Sequence, residues 1–349
     1  MQQKQVHYAD YLQLDKILEA QHPESFAPGK EPAHDEMLFI IIHQSYELWF
    51  KQIDFEIQSI IQILQQPKLN DNAADLQTIV HRLNRVTTIL KTLVQQIDIM
   101  ESMTAMDFLD FRDLLRPASG FQSWQFKKIE AMLGLKYEHR HGQHYYTSQL
   151  RPAEVTVIKE TEQANSVLQL LNIWLERMPF INDDAYWKSY VPASGNAESP
   201  VFWNDYAWIY QNSLAPAEQG NIERFQQVFE SNDVNAVRQL SATACRSALF
   251  IMLYRGYPML ELPFQLLDKL LEIDSQLGNW RYRHFNMVQR MIGSRIGTGG
   301  STGAEYLKSA MDKHYIFKEI SQLTSFLINR KQLPALPEEL VAQLGYNFK

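Results

Sequence analysis

Two histidines stand among apolar residues in segments with helical spacing. His43 lies in FIIIHQSYELWF, one turn after Phe39 and one turn before Glu47. His284 lies in WRYRHFNMVQRM and shares a helical face with Trp280, Met287, Val288 and Met291. A single histidine in such a setting is ordinarily a core residue whose ring is satisfied by a backbone carbonyl. Two of them on separate long helices admit a second reading. Helical bundles build cofactor sites between facing helices, and a neutral imidazole among Trp, Phe and Met is what an axial haem ligand requires. On spacing alone both readings stand.

Three other stretches carry residues capable of chemistry. In MDFLDFRDLLRPASGFQSWQF, Phe108 and Arg112 are four apart on one helix face, just before a Pro-Ala-Ser-Gly turn. An arginine beside apolar rings can hold a carboxylate bidentately, each charge-assisted bond being worth about 1.5–3 kcal/mol. The alternative is a surface ion pair with Asp110 or Asp113. The segment HRHGQHYY places His139, His141 and His144 at a spacing that suits zinc, but its Arg and Tyr residues and the lack of an adjacent Cys or acidic ligand suit a solvated or interface loop. GSRIGTGGSTG, residues 293–303, has five glycines in eleven positions. It is not a nucleotide loop: no Lys follows the glycines directly, Thr302 stands where GxGxxG needs its last glycine, and the preceding segment reads as helix rather than strand.

The elements that must position these residues are helices. Among 349 residues, 45% are hydrophobic and 12% aromatic, while Gly and Pro number only 14 each, a composition that favours long helices over a turn-rich β protein. Apolar residues recur at Phe39, Ile42, Tyr46, Trp49, Phe50, Ile53, Ile57, Ile60, Ile61 and Leu64, predicting a helix over 36–64 with Asp35 as its N-cap. Leu76, Val80, Leu83, Val86, Leu90, Leu93, Val94 and Ile97 predict a second over 73–104. Further helices are expected over 107–115, 123–133, 153–176, 204–211, 216–228, 234–254, 263–293 and 304–329. The expected loops are 27–33, 116–120, 138–151, 182–200 and the glycine-rich stretch. None has the length or composition of a domain linker and no internal repeat is found, so a single all-α helical-bundle domain with surface loop insertions is expected over 1–349.

Composition also excludes whole classes of function. A net charge of −7 without a Lys/Arg run argues against nucleic-acid binding, which needs clustered positive charge. Cys245 is the only cysteine, so an intrachain disulfide, a thiolate zinc site or a cysteine-ligated cluster is excluded. No apolar run approaches the roughly 18 residues of a membrane span, and the first residues lack a signal-peptide core, so a cytoplasmic protein without membrane contact is expected.

Five stretches in order, YADYLQLDKIL, HDEMLFIIIHQSYELWFKQI, MDFLDFRDLLRPASGFQSWQF, WRYRHFNMVQRMIG and IGTGGSTGAEYL, resemble the haem-dependent tryptophan 2,3-dioxygenases from about Tyr8 to about Leu327. The resemblance implies haem b, one per subunit and ferrous when active, with His284 as proximal ligand and an open iron position for dioxygen. It implies that His43 stands over the haem near the substrate indole N–H, as a positioning partner rather than an obligatory base. Arg112 matches the arginine that grips the substrate carboxylate, and Thr298 the threonine that contacts the substrate's amino-acid backbone. Gly297, Gly299 and Gly300 would then let the loop fold closely over the bound amino acid. Phe39 and Phe108 match residues lining the indole pocket; some bacterial members carry Tyr at the latter position. Ser119 and Gly120 match the turn beside the haem.

Tyr8, Tyr11 and Leu12 match residues that, in the family's homotetramers, complete a neighbouring chain's pocket, which makes 1–30 an arm reaching across to that chain. The implied reaction inserts both atoms of dioxygen across the indole C2–C3 bond of L-tryptophan to give N-formyl-L-kynurenine, the first step of the kynurenine pathway. Two competing readings are a relative that oxidises or hydroxylates an indole or aromatic amino acid with peroxide, and a haem or tryptophan sensor without turnover. Residues 138–151 and 182–220 match none of these motifs, and GGSTG departs from the commoner GGSSG by one hydroxyl-bearing residue.

Overall fold

In the computed structural model the described residues are 5–67, 69, 74–140, 146–193, 202–231, 238–295, 308 and 314–345. Among them the chain is helical and contains no β-strand. A short arm carries α1 (Tyr8–Leu12) and α2 (Leu14–Leu18), followed by α3 (Asp35–Leu64), α4 (Ala74–Met100), α5 (Ala105–Arg112) and α6 (Trp124–Leu133). Then come α7 (Pro152–Gln163), α8 (Val167–Glu176), α9 (Pro179–Asn182), α10 (Phe202–Ser213), α11 (Asn221–Phe229), α12 (Ala242–Tyr254) and α13 (Pro258–Ile292). The chain closes with α14 (Lys318–Gln322) and α15 (Glu338–Leu344). No helix among the described residues is long and apolar enough to cross a membrane.

Three long helices form the frame. The 30 residues of α3 include neither Pro nor Gly, and Asp35 and Glu36 place negative charge in its first turn, where the helix dipole favours it. The N-cap is His34, without a side-chain cap bond, rather than Asp35 as expected. Glu36 anchors the arm instead, since its buried carboxylate accepts the backbone N–H groups of Glu24 and Ser25 at 2.7 and 2.8 Å and ties that segment to the start of α3. The Tyr46 hydroxyl donates to the Leu93 carbonyl at 2.8 Å and Arg85 meets Glu56 at 2.8 Å, so α3 and α4 run antiparallel. Lys91 pairs with Glu272 and Arg283 with Asp98 at 2.6 Å, so α4 and α13 run parallel.

The principal core is built from the inward residues of this frame, including Ile53, Ile57 and Ile60 of α3, Leu76, Leu83 and Val86 of α4, and Leu270, Ile273 and Leu277 of α13. Most of the periodicity read from sequence is buried; Phe39, Tyr46, Ile61 and Val94 are half-buried, and Trp49 stays exposed. A second, smaller cluster of Ala33, Ile42, Met100, Met103 and Phe111, with Phe39, Phe108, Met287 and Met291 packed against it, lies at the junction of α3, α4, α5 and α13.

Several expected helices are shorter or divided. The one expected over 153–176 is two, because Ser166 makes a capping box: its hydroxyl accepts from Gln169 N at 3.3 Å while the Gln169 side chain accepts from Ser166 N at 3.0 Å. Asp113–Leu115 tightens into a 3-10 turn after α5, and the segment expected over 216–228 begins with a 3-10 turn, Pro216–Glu218, before α11. Ser241 caps α12, so the helix expected from 234 starts at Ala242. Of the helix expected over 304–329, residues 304–307 and 309–313 fall outside the described residues, Lys308 is helical, and 314–329 hold α14 and the 3-10 turn Leu323–Phe326. Conversely, α13 begins before Pro263, which sits in its second turn and removes one backbone bond without ending it.

Candidate active site

A cavity of about 320 Å³ opens between α3, α5, α6 and α13. Phe39, His43, Phe108, Arg112, Ser119, Gly120 and His284 all line it, so residues drawn from three separated stretches of sequence meet at one place. Tyr8, Tyr11 and Leu12 are not part of this wall; they lie exposed on α1. Thr298, with Gly297, Gly299 and Gly300, falls outside the described residues. Of the three histidines in HRHGQHYY, His139 ends the 3-10 turn Tyr137–His139, while His141 and His144 are likewise outside. Among the described residues no group of three or more His, Cys, Asp and Glu side chains is placed to hold a metal ion.

His43 reaches the cavity from the third turn of α3. Its Nδ1 is 2.7 Å from the Phe39 carbonyl oxygen. A carbonyl only accepts, so in the neutral ring Nδ1 carries the proton and Nε2 is left as an acceptor. Burial holds the pKa of His43 below its ordinary value, opposed by the Phe39 carbonyl and by the charge of Glu47. The residue keeps exposed surface and lines the cavity, and its lowered pKa favours the neutral ring at neutral pH.

His284 lies on α13, one turn after Trp280, and the two rings are stacked at 5.0 Å with their planes 4° apart. Burial, reinforced by the nearby His43, pushes its pKa down to about 4. The ring is therefore neutral at ordinary pH. Its Nδ1 is closed off from solvent and has no hydrogen-bond partner among the described residues. A neutral imidazole with free lone-pair capacity, walled by Trp280, Met287, Val288 and Met291, is the donor set that suits a haem iron.

Arg112 ends α5, whose start is fixed by a capping box between Thr104 and Asp107. Its side chain is buried against the cavity, and Asp113 pairs instead with Arg116 at 3.2 Å. Phe108 and Phe39 stack at 5.7 Å, and Phe111 meets both edge-on, forming an aromatic wall. In the adjoining turn the Ser119 hydroxyl accepts from Phe121 N at 3.3 Å. A Cβ at Gly120 would meet no protein atom within 4 Å, so this backbone leaves open space beside the cavity.

Another part of the wall is charged, and sequence reasoning missed it. Glu130 on α6 takes Arg140 on one carboxylate oxygen and Arg281 on the other, both at 2.6 Å, and His314 stands 3.9 Å away. Arg140 also donates to the Lys127 carbonyl at 3.1 Å and covers the Tyr146 ring at 3.9 Å. Lys127 donates to the Phe121 carbonyl, and burial lowers its pKa to about 8. All five charged or titratable side chains line the cavity and are buried. The sequence signal was faint, no more than the placement of Arg281 one turn before His284.

A family model described as tryptophan 2,3-dioxygenase matches residues 1–327. The tryptophan 2,3-dioxygenase of Bdellovibrio bacteriovorus is 39% identical, covering 98% of this chain and 99% of its own. That of Dictyostelium discoideum is 42% identical over 99% of this chain and 89% of its own, and that of Anopheles gambiae 40% identical over 97% and 89%.

The buried carboxylate makes acid stability a direct probe of the site. Desolvation opposes ionisation of Glu130, but Arg140 and Arg281 overcome it and hold the pKa at about 2, below the ordinary 4.5. Because the folded value is depressed, its stabilisation is complete above the ordinary value and is lost as pH falls from there through about 2. Glu130→Ala leaves two guanidinium groups buried without their anion, and is expected to cost roughly 3–5 kcal/mol in urea unfolding at pH 7. The gap from wild type should narrow on acidification toward pH 3; a constant gap would contradict this assignment.

Proposed function

The chain belongs to the tryptophan 2,3-dioxygenase family, and from that premise we propose how its residues carry out the cleavage of L-tryptophan. The reaction is oxidative opening of the indole C2–C3 bond by dioxygen to give N-formyl-L-kynurenine, the entry to the kynurenine pathway. The observation that carries this reading is the meeting of two histidines with lowered pKa values, an aromatic wall and a buried arginine around one cavity.

The site fits haem b. His284 lines the cavity with a neutral imidazole, the surrounding wall is aromatic and Met-rich, and Gly120 leaves backbone-lined space where a flat ring could approach. When bound, ferrous haem supplies the dioxygen chemistry. The protein supplies the rest. His43 Nε2, fixed as an acceptor by the Phe39 carbonyl, accepts the substrate indole N–H and so sets the tilt of the ring. Arg112 takes the carboxylate, and a buried guanidinium does this at greater strength than an exposed one. Phe39 and Phe108 flank the indole and keep water from the reacting bond. Thr298 is assigned to the amino-acid backbone of the substrate. Substrates lacking the carboxylate, or with the opposite configuration at Cα, lose Arg112 or His43 and are handled poorly.

A homotetramer in the cytoplasm completes the proposal, with 1–30 as the arm that carries Tyr8, Tyr11 and Leu12 to a neighbouring pocket. Two features support association. Tyr8 and Tyr11 are 71% and 75% exposed, a costly state for large rings. On α3, Ile41, Leu48 and Phe55 recur every seventh residue and are 49%, 56% and 68% exposed, forming an apolar stripe on the outer face of the helix.

His284→Ala is expected to abolish haem uptake, read as loss of the Soret band. Arg112→Ala should keep the band and raise the KM for L-tryptophan roughly ten- to hundredfold, the equivalent of about 1.5–3 kcal/mol. An Arg112→Ala enzyme with wild-type KM would remove the carboxylate role. The Leu48→Glu, Phe55→Glu double variant is expected to give a smaller species by light scattering; an unchanged mass would show that the α3 stripe is not an interface.

A further inference from the structure

Resting on the reading of His284 as a haem ligand, we infer that Arg281, through Glu130, and Arg283, through Asp98 and Glu101, are positioning residues that fix the rotation of α13 and so aim the His284 ring. The problem they solve follows from the cavity. A helix is normally held in rotation by side chains packed on its buried face. Near His284 that face, with Met287, Val288 and Met291, looks onto the cavity and packs only in part. Tolerances there are narrow. A side chain about 6 Å from the helix axis moves by about 0.5 Å, the precision a preorganised site demands, when the helix turns by only about 5°.

Arg281 and Arg283 brace this part of the helix from two flanks. Arg281 donates through Nη2 to Glu130 Oε1 at 2.6 Å on α6, and through Nη1 to the His314 carbonyl at 2.9 Å. Glu130 is itself held by Arg140 at 2.6 Å, so the acceptor cannot follow the helix if it turns. Arg283 donates to Asp98 Oδ1 at 2.6 Å and Glu101 Oε2 at 3.1 Å, at the end of α4. At about 100° per residue, Arg281 and Arg283 lie about 160° apart around α13, and His284 falls between them, about 60° from the first and about 100° from the second. Rotation in either direction lengthens one set of bonds. The planar guanidinium of Arg281 spans two acceptors on different segments, which a lysine ammonium does not reproduce.

The test uses haem-loaded full-length protein and three substitutions: Arg281→Lys, Glu130→Gln and Arg283→Gln. The readouts are the iron–histidine stretching band of the ferrous protein in resonance Raman spectra and the rate of haem transfer to apomyoglobin. Each variant is expected to shift or broaden the band. The two buried changes should speed haem loss about tenfold or more, the usual scale for groups that orient a metal ligand. The KM for L-tryptophan should move far less, because neither His43 nor Arg112 is altered. Arg283 is partly exposed, so Arg283→Gln keeps the test decisive if a buried variant fails to fold. A wild-type band in Arg283→Gln, or in either buried variant that folds, overturns the inference. Wild-type protein without histidine-ligated haem would instead remove the functional reading on which it rests.

Discussion

A ligand-sized cavity between helices takes the side chains that line it out of contact with the rest of the protein, so the geometry of its walls must be fixed from elsewhere. This chain keeps such a space between α3 and α13 and places its two candidate histidines there. The arrangement is possible because those helices are secured elsewhere. Farther along, Ile53, Ile57 and Ile60 of α3 and Leu270, Ile273 and Leu277 of α13 are fully buried in the principal core. Beside the cavity, polar anchors hold what packing cannot: Tyr46 to the Leu93 carbonyl, Gln125 to Glu47 at 2.8 Å, and the bracket around Glu130.

The same enclosure sets the chemistry. Desolvation keeps both imidazoles neutral, so that the ring of His284 retains a lone pair and that of His43 remains an acceptor on Nε2. It also raises the value of Arg112 as a partner for a carboxylate, since charge attraction grows as water is removed. In the proposed reading, the cavity discriminates by hydrogen bonds offered from the aromatic part of its wall. On the proposed assignment, an amino acid with an indole side chain meets the aromatic wall, the acceptor and the cation together.

Much of this was legible from sequence where spacing is local. The apolar periodicity of α3 and α4 survives burial almost intact, and the face shared by His284, Trp280, Met287, Val288 and Met291 is the one that lines the cavity. Arg112 could not be resolved by pattern, because Asp110 and Asp113 stood nearby as partners; the structure gives Asp113 to Arg116. The division at Ser166 was written in the chain as a Ser with Gln three residues later, but helical periodicity on both sides concealed it. The charged bracket was the least legible element. Glu130 and Arg281 are 151 residues apart, and on a helix each reads as an ordinary solvent-facing charge until the fold brings them together.

The central claim is that haem at His284 and L-tryptophan between His43 and Arg112 react with dioxygen alone. The most direct measurement reduces the haem-loaded protein without oxygen, then admits air and L-tryptophan while following the Soret region and the near-ultraviolet absorbance of N-formylkynurenine. Product should accumulate over many turnovers with no peroxide added. A normal Soret band with no product, or product only when peroxide is supplied, would contradict the account and point to a sensor or a peroxide-dependent oxidation in the same cavity.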